Sequence, residues 1–111
     1  MTKKFRLKKE KEFSLVFNKG KRLYSKELTV VFVKSNCLKV GFAVSKKHGK
    51  SVQRNRIKRL LRESFRSFMP RLIGQNFFFV FIPKISEEYS LEKFKENMEY
   101  LLKKGGIIGK C

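Results

Sequence analysis

A dense run of cationic side chains between residues 46 and 66 is the part of the sequence best suited to do chemistry. Its only acid is Glu63. Side chains of this kind bind phosphate, because a planar guanidinium can bond two phosphate oxygens and an ammonium adds a compact positive charge. The candidate binding residues of this run are Lys46, Lys47, Arg54, Asn55, Arg56, Lys58, Arg59, Arg62 and Arg66.

Helical periodicity divides the run into two sides when a helix is drawn from about residue 52 to residue 68. One arc is apolar and contains Ile57, Leu60, Leu61, Phe65 and Phe68. The adjoining arc is polar and contains Asn55, Lys58, Arg59, Arg62 and Arg66, with Arg54 at the boundary and Arg56 on the far side. Like charges recur at i and i+4 along this arc, and each pair costs an isolated helix about 0.2–0.5 kcal/mol. A merely solvated face normally mixes both signs, so the pattern favours an anionic partner.

The whole chain has the same bias, with 28 Lys and Arg against 9 acids, no Asp and a net charge of +19 over 111 residues. A compact domain with this charge repels itself unless a polyanion neutralises it. Nucleic acid is the usual partner, since phosphate contacts release counterions. An anionic membrane surface is the competing interpretation, but the helix's apolar arc is needed to complete a core. The charge alone does not separate RNA from DNA.

A catalytic centre is not indicated by the remaining polar residues. His48 is the only histidine and lies in a basic loop, where we expect a surface or RNA-contacting role and not a general base. Glu92, Glu96 and Glu99 follow helical spacing among lysines, which is typical of a solvated face and not of a metal site. We therefore predict no catalytic residue and no metal ligand, and a stand-alone nuclease is the least favoured function. Two distant cysteines and no apolar leader favour a reduced, cytoplasmic protein.

The elements that would position the basic run follow from periodicity and from turn residues. One domain is predicted over 1–111, with a basic arm at about 1–8 and a loose tail at about 105–111. The predicted helices cover about 9–19 and 52–68 and begin again near 90. The predicted strands cover about 27–34, 38–44 and 76–82, with a short edge strand at 21–25.

A family resemblance rests on the segment Val40–Lys47 followed by Arg54–Arg62. Together they resemble the signature of the bacterial ribonuclease P protein subunit, in which Arg54-Asn55-Arg56 begins a basic helix after a strand and a loop. Phe13–Phe17 with Gly20 is similar to the first helix of that family. The resemblance covers nearly the whole chain in order and length.

The resemblance implies an α+β fold, an αβββαβα two-layer sandwich with a four-stranded sheet. It also implies a left-handed βαβ crossover around the basic helix. General rules for crossovers predict the opposite hand, so this expectation depends on the resemblance alone.

The resemblance further implies maturation of tRNA 5′ ends by a ribonucleoprotein whose RNA subunit is the catalyst. The partners would be ribonuclease P RNA, facing the cationic run, and the 5′ leader of precursor tRNA. Mg²⁺ would be held mainly by RNA, with no membrane contact and no obligate protein partner. The leader would lie in a cleft whose aromatic faces stack on unpaired bases with little sequence preference. The residues implied for this cleft are Phe13, Phe17, Thr29, Val31 and Val33.

Three alternatives stay open beside the ribonuclease P interpretation. Spacing alone places Phe13 and Phe17 in the core, whereas the cleft requires partial exposure. A structural RNA-binding protein of the ribosomal type has the same charge but no need of exposed aromatics. A sequence-specific DNA-binding protein would read bases with Gln53 and Asn55.

Overall fold

Four strands form one mixed sheet in the computed structural model, which describes residues 5–109. The strands are Lys21–Tyr24 (β1), Leu28–Lys34 (β2), Lys39–Phe42 (β3) and Phe77–Pro83 (β4). Their order across the sheet is β1-β2-β4-β3. β2 runs antiparallel to both β1 and β4, and β3 runs parallel to β4.

Between residues 5 and 109, four helices accompany the sheet, and this arrangement confirms the α+β fold class. They are Glu10–Lys19 (α1), Ser51–Arg66 (α2), Met69–Leu72 (α3) and Leu91–Lys104 (α4), with a 3-10 turn at Lys46–His48. α2 and α3 together connect the parallel neighbours β3 and β4. None of the helices in the described part of the chain has the length and apolar character needed to cross a bilayer.

The larger core lies between the sheet and the pair α2 and α4. Alternate residues of the inner strand β4 point into it, with Phe79 and Phe81 completely buried. Their neighbours Phe78 and Val80 point to the opposite face and are also buried. β4 is therefore covered on both sides, as the density of its apolar residues predicts.

The opposite face of the sheet is covered in part by α1 and by the chain that precedes it. Val16 of α1 and Leu7 before it form a smaller cluster with Val31, Phe78 and Val80. The N–H of Leu7 donates to the carbonyl of Val40 at 3.0 Å, so part of the basic arm lies against β3. The sheet with α2 and α4 forms the two-layer sandwich, and α1 adds partial cover on the other side.

The end of α2 and the start of the C-terminal tail differ from the sequence-based expectation. α2 ends at Arg66 because a separate short helix follows, with Pro70 in its first turn, where a missing N–H costs nothing. The predicted loose tail is wrong over 105–108, since Ile107 and Ile108 are each only 6% exposed and belong to the larger core. Gly106, with φ of 73°, turns the chain back toward that core. Residues 1–4 of the predicted arm and 110–111 of the tail lie outside the described residues.

Candidate nucleic-acid interface

Helix α2 presents its cationic side to solvent because its apolar side is fixed in the core. Ile57, Leu61 and Phe65 are at most 2% exposed. This burial confirms the apolar arc that the sequence predicts for α2 at these three positions. The polar arc is exposed at Asn55, Arg56, Lys58, Arg59 and Arg66 and half-buried at Arg54 and Arg62. We call this arc, with Lys46 and Lys47, the cationic stripe.

The charges of the cationic stripe are uncompensated within the described chain. The ion pairs found between residues 5 and 109 use Lys39, Lys93 and Lys103 as their cations, none of which belongs to the stripe. The stripe residues therefore hold no carboxylate partner in this part of the protein. A row of unpaired cations on one rigid helix suits a ligand with regularly spaced negative charges.

Arg54 differs from the other cations of the stripe. Its Nη2 donates to Oγ of Ser51 at 3.2 Å, so the guanidinium lies along the first turn of α2. Its Nε is buried and has no hydrogen-bond partner among the described residues. Ser51 itself is the first residue of the helix and not its N-cap, which is Lys50.

His48 is half-buried, and both of its ring nitrogens contact the backbone. Its Nε2 lies 2.7 Å from the carbonyl oxygen of Pro83, at the end of β4. Its Nδ1 lies 3.0 Å from the backbone nitrogen of Ser45. The imidazole therefore joins the loop that carries Lys46 and Lys47 to the sheet.

A groove at the edge of β3 connects the cationic stripe with the opposite face of the sheet. Its cavity of about 560 Å³ is lined by Arg6 and Lys8 from the arm and by Lys58 and Arg62 from α2. The ring of Phe13 lines the same groove. Cations from two distant segments thus meet an aromatic ring of α1, a combination suited to the phosphates and bases of nucleic acid.

Phe13 and Phe17 of α1 are both half-buried, as the cleft interpretation requires and spacing alone did not predict. Phe13 lies so close to β3 that a Cβ on Gly41 would come within 2.7 Å of two of its ring carbons. The guanidinium carbon of Arg22 lies 5.7 Å from the centre of the Phe17 ring. Val16, between them, is fully buried and holds the helix on the sheet.

The start of α1 is fixed by Glu12. Its Oε1 accepts hydrogen bonds from the backbone N–H groups of Lys8 and Lys9, each at 3.2 Å. These are donors that a helix N-terminus otherwise leaves unsatisfied. The helix that carries Phe13 and Phe17 therefore begins at a defined point beside β3.

The strand residues predicted for the cleft differ in accessibility. Val31 and Val33 belong to the cluster under α1, so they lie on the face of the sheet that carries Phe13 and Phe17. Val31, however, is completely buried and Thr29 only 8% exposed. Val31 lies beneath α1 as part of the cleft floor, and a ligand cannot reach it in this structure. Val33 is half-buried.

The structure adds cleft residues that the sequence analysis missed. Tyr24 pairs with Thr29, which pairs with Ile82, so these three side chains form a row across one face of the sheet. Tyr24 is 58% exposed and gives this row an aromatic end. Arg22 lies two positions before Tyr24 in β1, so its side chain points to the same face of the sheet. There its guanidinium lies over the ring of Phe17. Applying strand parity to the short edge strand β1 would have found both residues.

Other reactive groups do not come together in the described part of the chain. Between residues 5 and 109, no three His, Cys, Asp or Glu side chains are placed to share a metal ion. Cys37 is a free, half-buried thiol. The chemistry that the described residues assemble is recognition of anions and of flat rings.

Fold and surface together define a basic α+β domain with a cationic helix on one side of the sheet and a partly open aromatic cleft on the other. The family model described as Ribonuclease P matches residues 1–106. The ribonuclease P protein component of Listeria welshimeri is 33% identical, covering 97% of this chain and 93% of its own. That of Clostridium kluyveri is 41% identical, covering 93% and 96%.

Solved structures agree with the sequence matches. The RNase P protein from Thermotoga maritima superposes with a TM-score of 0.77 at 31% identity, covering 89% of this chain and 96% of its own. The Staphylococcus aureus RNase P protein shares the fold, with a TM-score of 0.82 at 24% identity over 95% and 98% of the two chains. The chain belongs to the ribonuclease P protein family. It is thereby a subunit of an endoribonuclease complex with an RNA partner.

Proposed function

We propose that this chain binds the catalytic RNA of ribonuclease P through the cationic stripe and the 5′ leader of precursor tRNA through the cleft beside α1. The observation that carries the proposal is that these two surfaces lie on opposite faces of the sheet and adjoin at the groove beside β3. α2 packs on one face of the sheet, whereas Phe13 and Phe17 lie on the other. One small domain can then contact two RNA molecules at once and hold the substrate against the catalyst.

The stripe suits a folded RNA because it recognises backbone. Its exposed side chains are mostly cations, which contact phosphate without reading sequence. Asn55 and the exposed Gln53 are its only amides, too few for a base-reading helix of the DNA-binding kind. A-form RNA also offers phosphates and 2′-hydroxyls more readily than base edges.

The cleft suits a single strand because it combines flat rings with cations. Phe13, Phe17 and the exposed Tyr24 offer faces on which unpaired bases stack, at about 1–3 kcal/mol per base. Arg22, already over Phe17, can pair with a phosphate of the same strand. Such contacts tolerate any sequence, which suits leaders that differ from one precursor to the next.

Catalysis is assigned to the RNA subunit. For cleavage of a phosphodiester at the 5′ end of tRNA, bound Mg²⁺ would supply Lewis-acid polarisation of the phosphate and activation of water. The described residues assemble no group of three carboxylate, imidazole or thiol side chains that fits such an ion. We therefore propose that RNA supplies most of the Mg²⁺ ligands and that this chain binds and orients its two RNA partners.

Reconstitution tests this proposal. The purified protein is mixed with a bacterial ribonuclease P RNA at low Mg²⁺, and 5′ cleavage of a precursor tRNA is followed, with protein alone and RNA alone as controls. We expect cleavage to be stimulated only in the mixture. Tight RNA binding without stimulation would point to a structural RNA-binding protein. Cleavage by the protein alone would contradict the assignment of catalysis to RNA.

A further inference from the structure

We propose that His48 is a positioning residue for the cationic stripe, acting as a neutral imidazole that fastens the loop at Ser45–Lys50 to the end of β4. The inference rests on the proposed role of the stripe in RNA binding. It assigns a function to the only histidine in the chain.

The shortest contact of each ring nitrogen favours one tautomer of His48. A carbonyl oxygen can only accept, so Nε2, at 2.7 Å from the oxygen of Pro83, carries the proton and donates. A backbone N–H can only donate, so Nδ1, at 3.0 Å from the nitrogen of Ser45, is unprotonated and accepts. The neutral tautomer with its proton on Nε2 satisfies both of these contacts. Nδ1 also lies 3.3 Å from Oγ of Ser45, a hydroxyl that can donate to it, and 3.3 Å from the carbonyl oxygen of Ser45, a longer contact that would need a proton on Nδ1.

The contacts join parts of the chain that are distant in sequence. Ser45 lies just beyond β3, and Pro83 is the last residue of β4, 35 positions from His48. Between Ser45 and α2 lie Lys46 and Lys47, both exposed. The imidazole therefore fixes the direction in which these two lysines leave the sheet and the point at which α2 begins.

The segment on the other side of the imidazole is itself rigid. The hydroxyl of Tyr89 accepts from the N–H of Ser86 at 3.0 Å and donates to the carbonyl of Lys84 at 3.1 Å. The N–H of Lys84 donates to the carbonyl of Glu27 at 3.0 Å. Pro83 is thus a fixed anchor, and the loop at Ser45–Lys50 is the part that His48 restrains.

Positioning and direct contact have different signatures in RNA binding. If His48 only holds the loop, its loss leaves every phosphate contact available but makes the loop adopt its bound position less often. Affinity then falls with no change in the number of counterions released. If His48 contacts phosphate as a cation, the salt dependence of binding falls as well.

The experiment measures binding of ribonuclease P RNA as a function of salt for the wild type, His48→Ala, His48→Gln and Lys46→Ala. For His48→Ala we expect roughly three- to tenfold weaker binding with an unchanged salt slope. His48→Gln keeps an N–H near Nε2 and should recover part of the loss. Lys46→Ala, as the matched contact variant, should lower the slope by about 0.7–0.9. Unchanged affinity, or a lower slope, in His48→Ala would overturn the proposal.

A nitrogen-15 spectrum of the free protein separates this inference from the function on which it rests. With one histidine, the ring signals are unambiguous. We expect a proton on Nε2 and none on Nδ1, as the contacts with Pro83 and Ser45 imply, and the opposite tautomer would overturn the proposed restraint by His48. If the predicted tautomer is found but the wild type fails to bind the RNA, the proposed function fails while the contacts of His48 stand. Thermal unfolding, with Ile73→Ala as an exposed-site control, shows whether His48→Ala is folded.

Discussion

Nζ of Lys39 lies 2.9 Å from Oε2 of Glu12, and this ion pair fastens the edge strand β3 to the first turn of α1. The hydrogen bond from Lys39 lowers the pKa of the Glu12 carboxyl, against the opposing effect of burial, and the N–H groups of Lys8 and Lys9 lower it further. The same bond raises the pKa of the Lys39 ammonium. The contribution of this ion pair to the stability of the fold therefore depends on pH.

Glu12→Gln tests this dependence. A carboxyl whose pKa is lower in the folded state than in the unfolded state stabilises the fold at pH values above its unfolded-state pKa. This stabilisation is lost as the pH falls through the pKa of the folded state. The wild type should lose this contribution below the ordinary carboxyl value of 4.5. Glu12→Gln should have a free energy of unfolding about 1–2 kcal/mol lower than the wild type near pH 7. That free energy should also fall less steeply as the pH is lowered. Denaturant unfolding between about pH 7 and pH 3 measures the free energy of unfolding and its pH dependence. The same pH dependence in the two proteins would contradict the account.

Arg56→Ala and Arg62→Ala test the cationic stripe. Each should weaken binding of ribonuclease P RNA and lower the salt slope by about 0.7–0.9, because one phosphate contact is lost. Arg71→Ala is the matched control, since Arg71 is an exposed arginine on α3, outside the stripe. Equal changes in all three variants would mean that binding reflects net charge and not the stripe.

Phe17→Ala tests the leader cleft. Binding of precursor tRNA by the assembled enzyme should weaken by roughly 1–3 kcal/mol, the energy of one stacked base, while binding of mature tRNA stays unchanged. Leu15→Ala, on the same helix and 37% exposed, controls for changes in α1 itself. A parallel loss for both tRNAs would identify Phe17 as a packing residue.

Gly41→Ala tests the contact between β3 and Phe13. The added methyl would lie 2.7 Å from two ring carbons of Phe13, so the half-exposed ring must move outward. Overpacking of this kind typically costs about 1–3 kcal/mol. We expect weaker precursor binding together with unchanged affinity for the catalytic RNA, measured in parallel titrations. An unaltered preference for precursor over mature tRNA would show that the position of Phe13 does not matter to the leader.

Local patterns in the sequence predicted much of the fold. The helical period of Ile57, Leu61 and Phe65 established which side of α2 is buried. The apolar density of β4 identified it as an inner strand. These features depend on the near neighbours of each residue, so they can be read without knowing the rest of the fold.

Contacts between distant segments could not be predicted in this way. Three such contacts join elements whose spacing in the sequence carries no signal. They are the hydrogen bond between Leu7 and Val40, the ion pair of Glu12 with Lys39, and the contacts of the His48 ring with Ser45 and Pro83. The glycines before Ile107 suggest a loose tail, yet the two isoleucines find a place in the core. In the cleft, the family resemblance implied residues on the face of β2 that α1 covers, but the burial of Val31 depends on where α1 lies.

Cross-linking within the assembled complex tests the two-surface account most directly. Photoreactive nucleotides are placed either in the 5′ leader of the precursor or in the catalytic RNA, and the linked peptides are identified by mass spectrometry. The account predicts leader cross-links to α1, β1 and β2, around Phe17 and Tyr24. It predicts cross-links from the catalytic RNA within residues 46–66. Leader cross-links on the cationic stripe, or catalytic-RNA cross-links in the cleft, would contradict it.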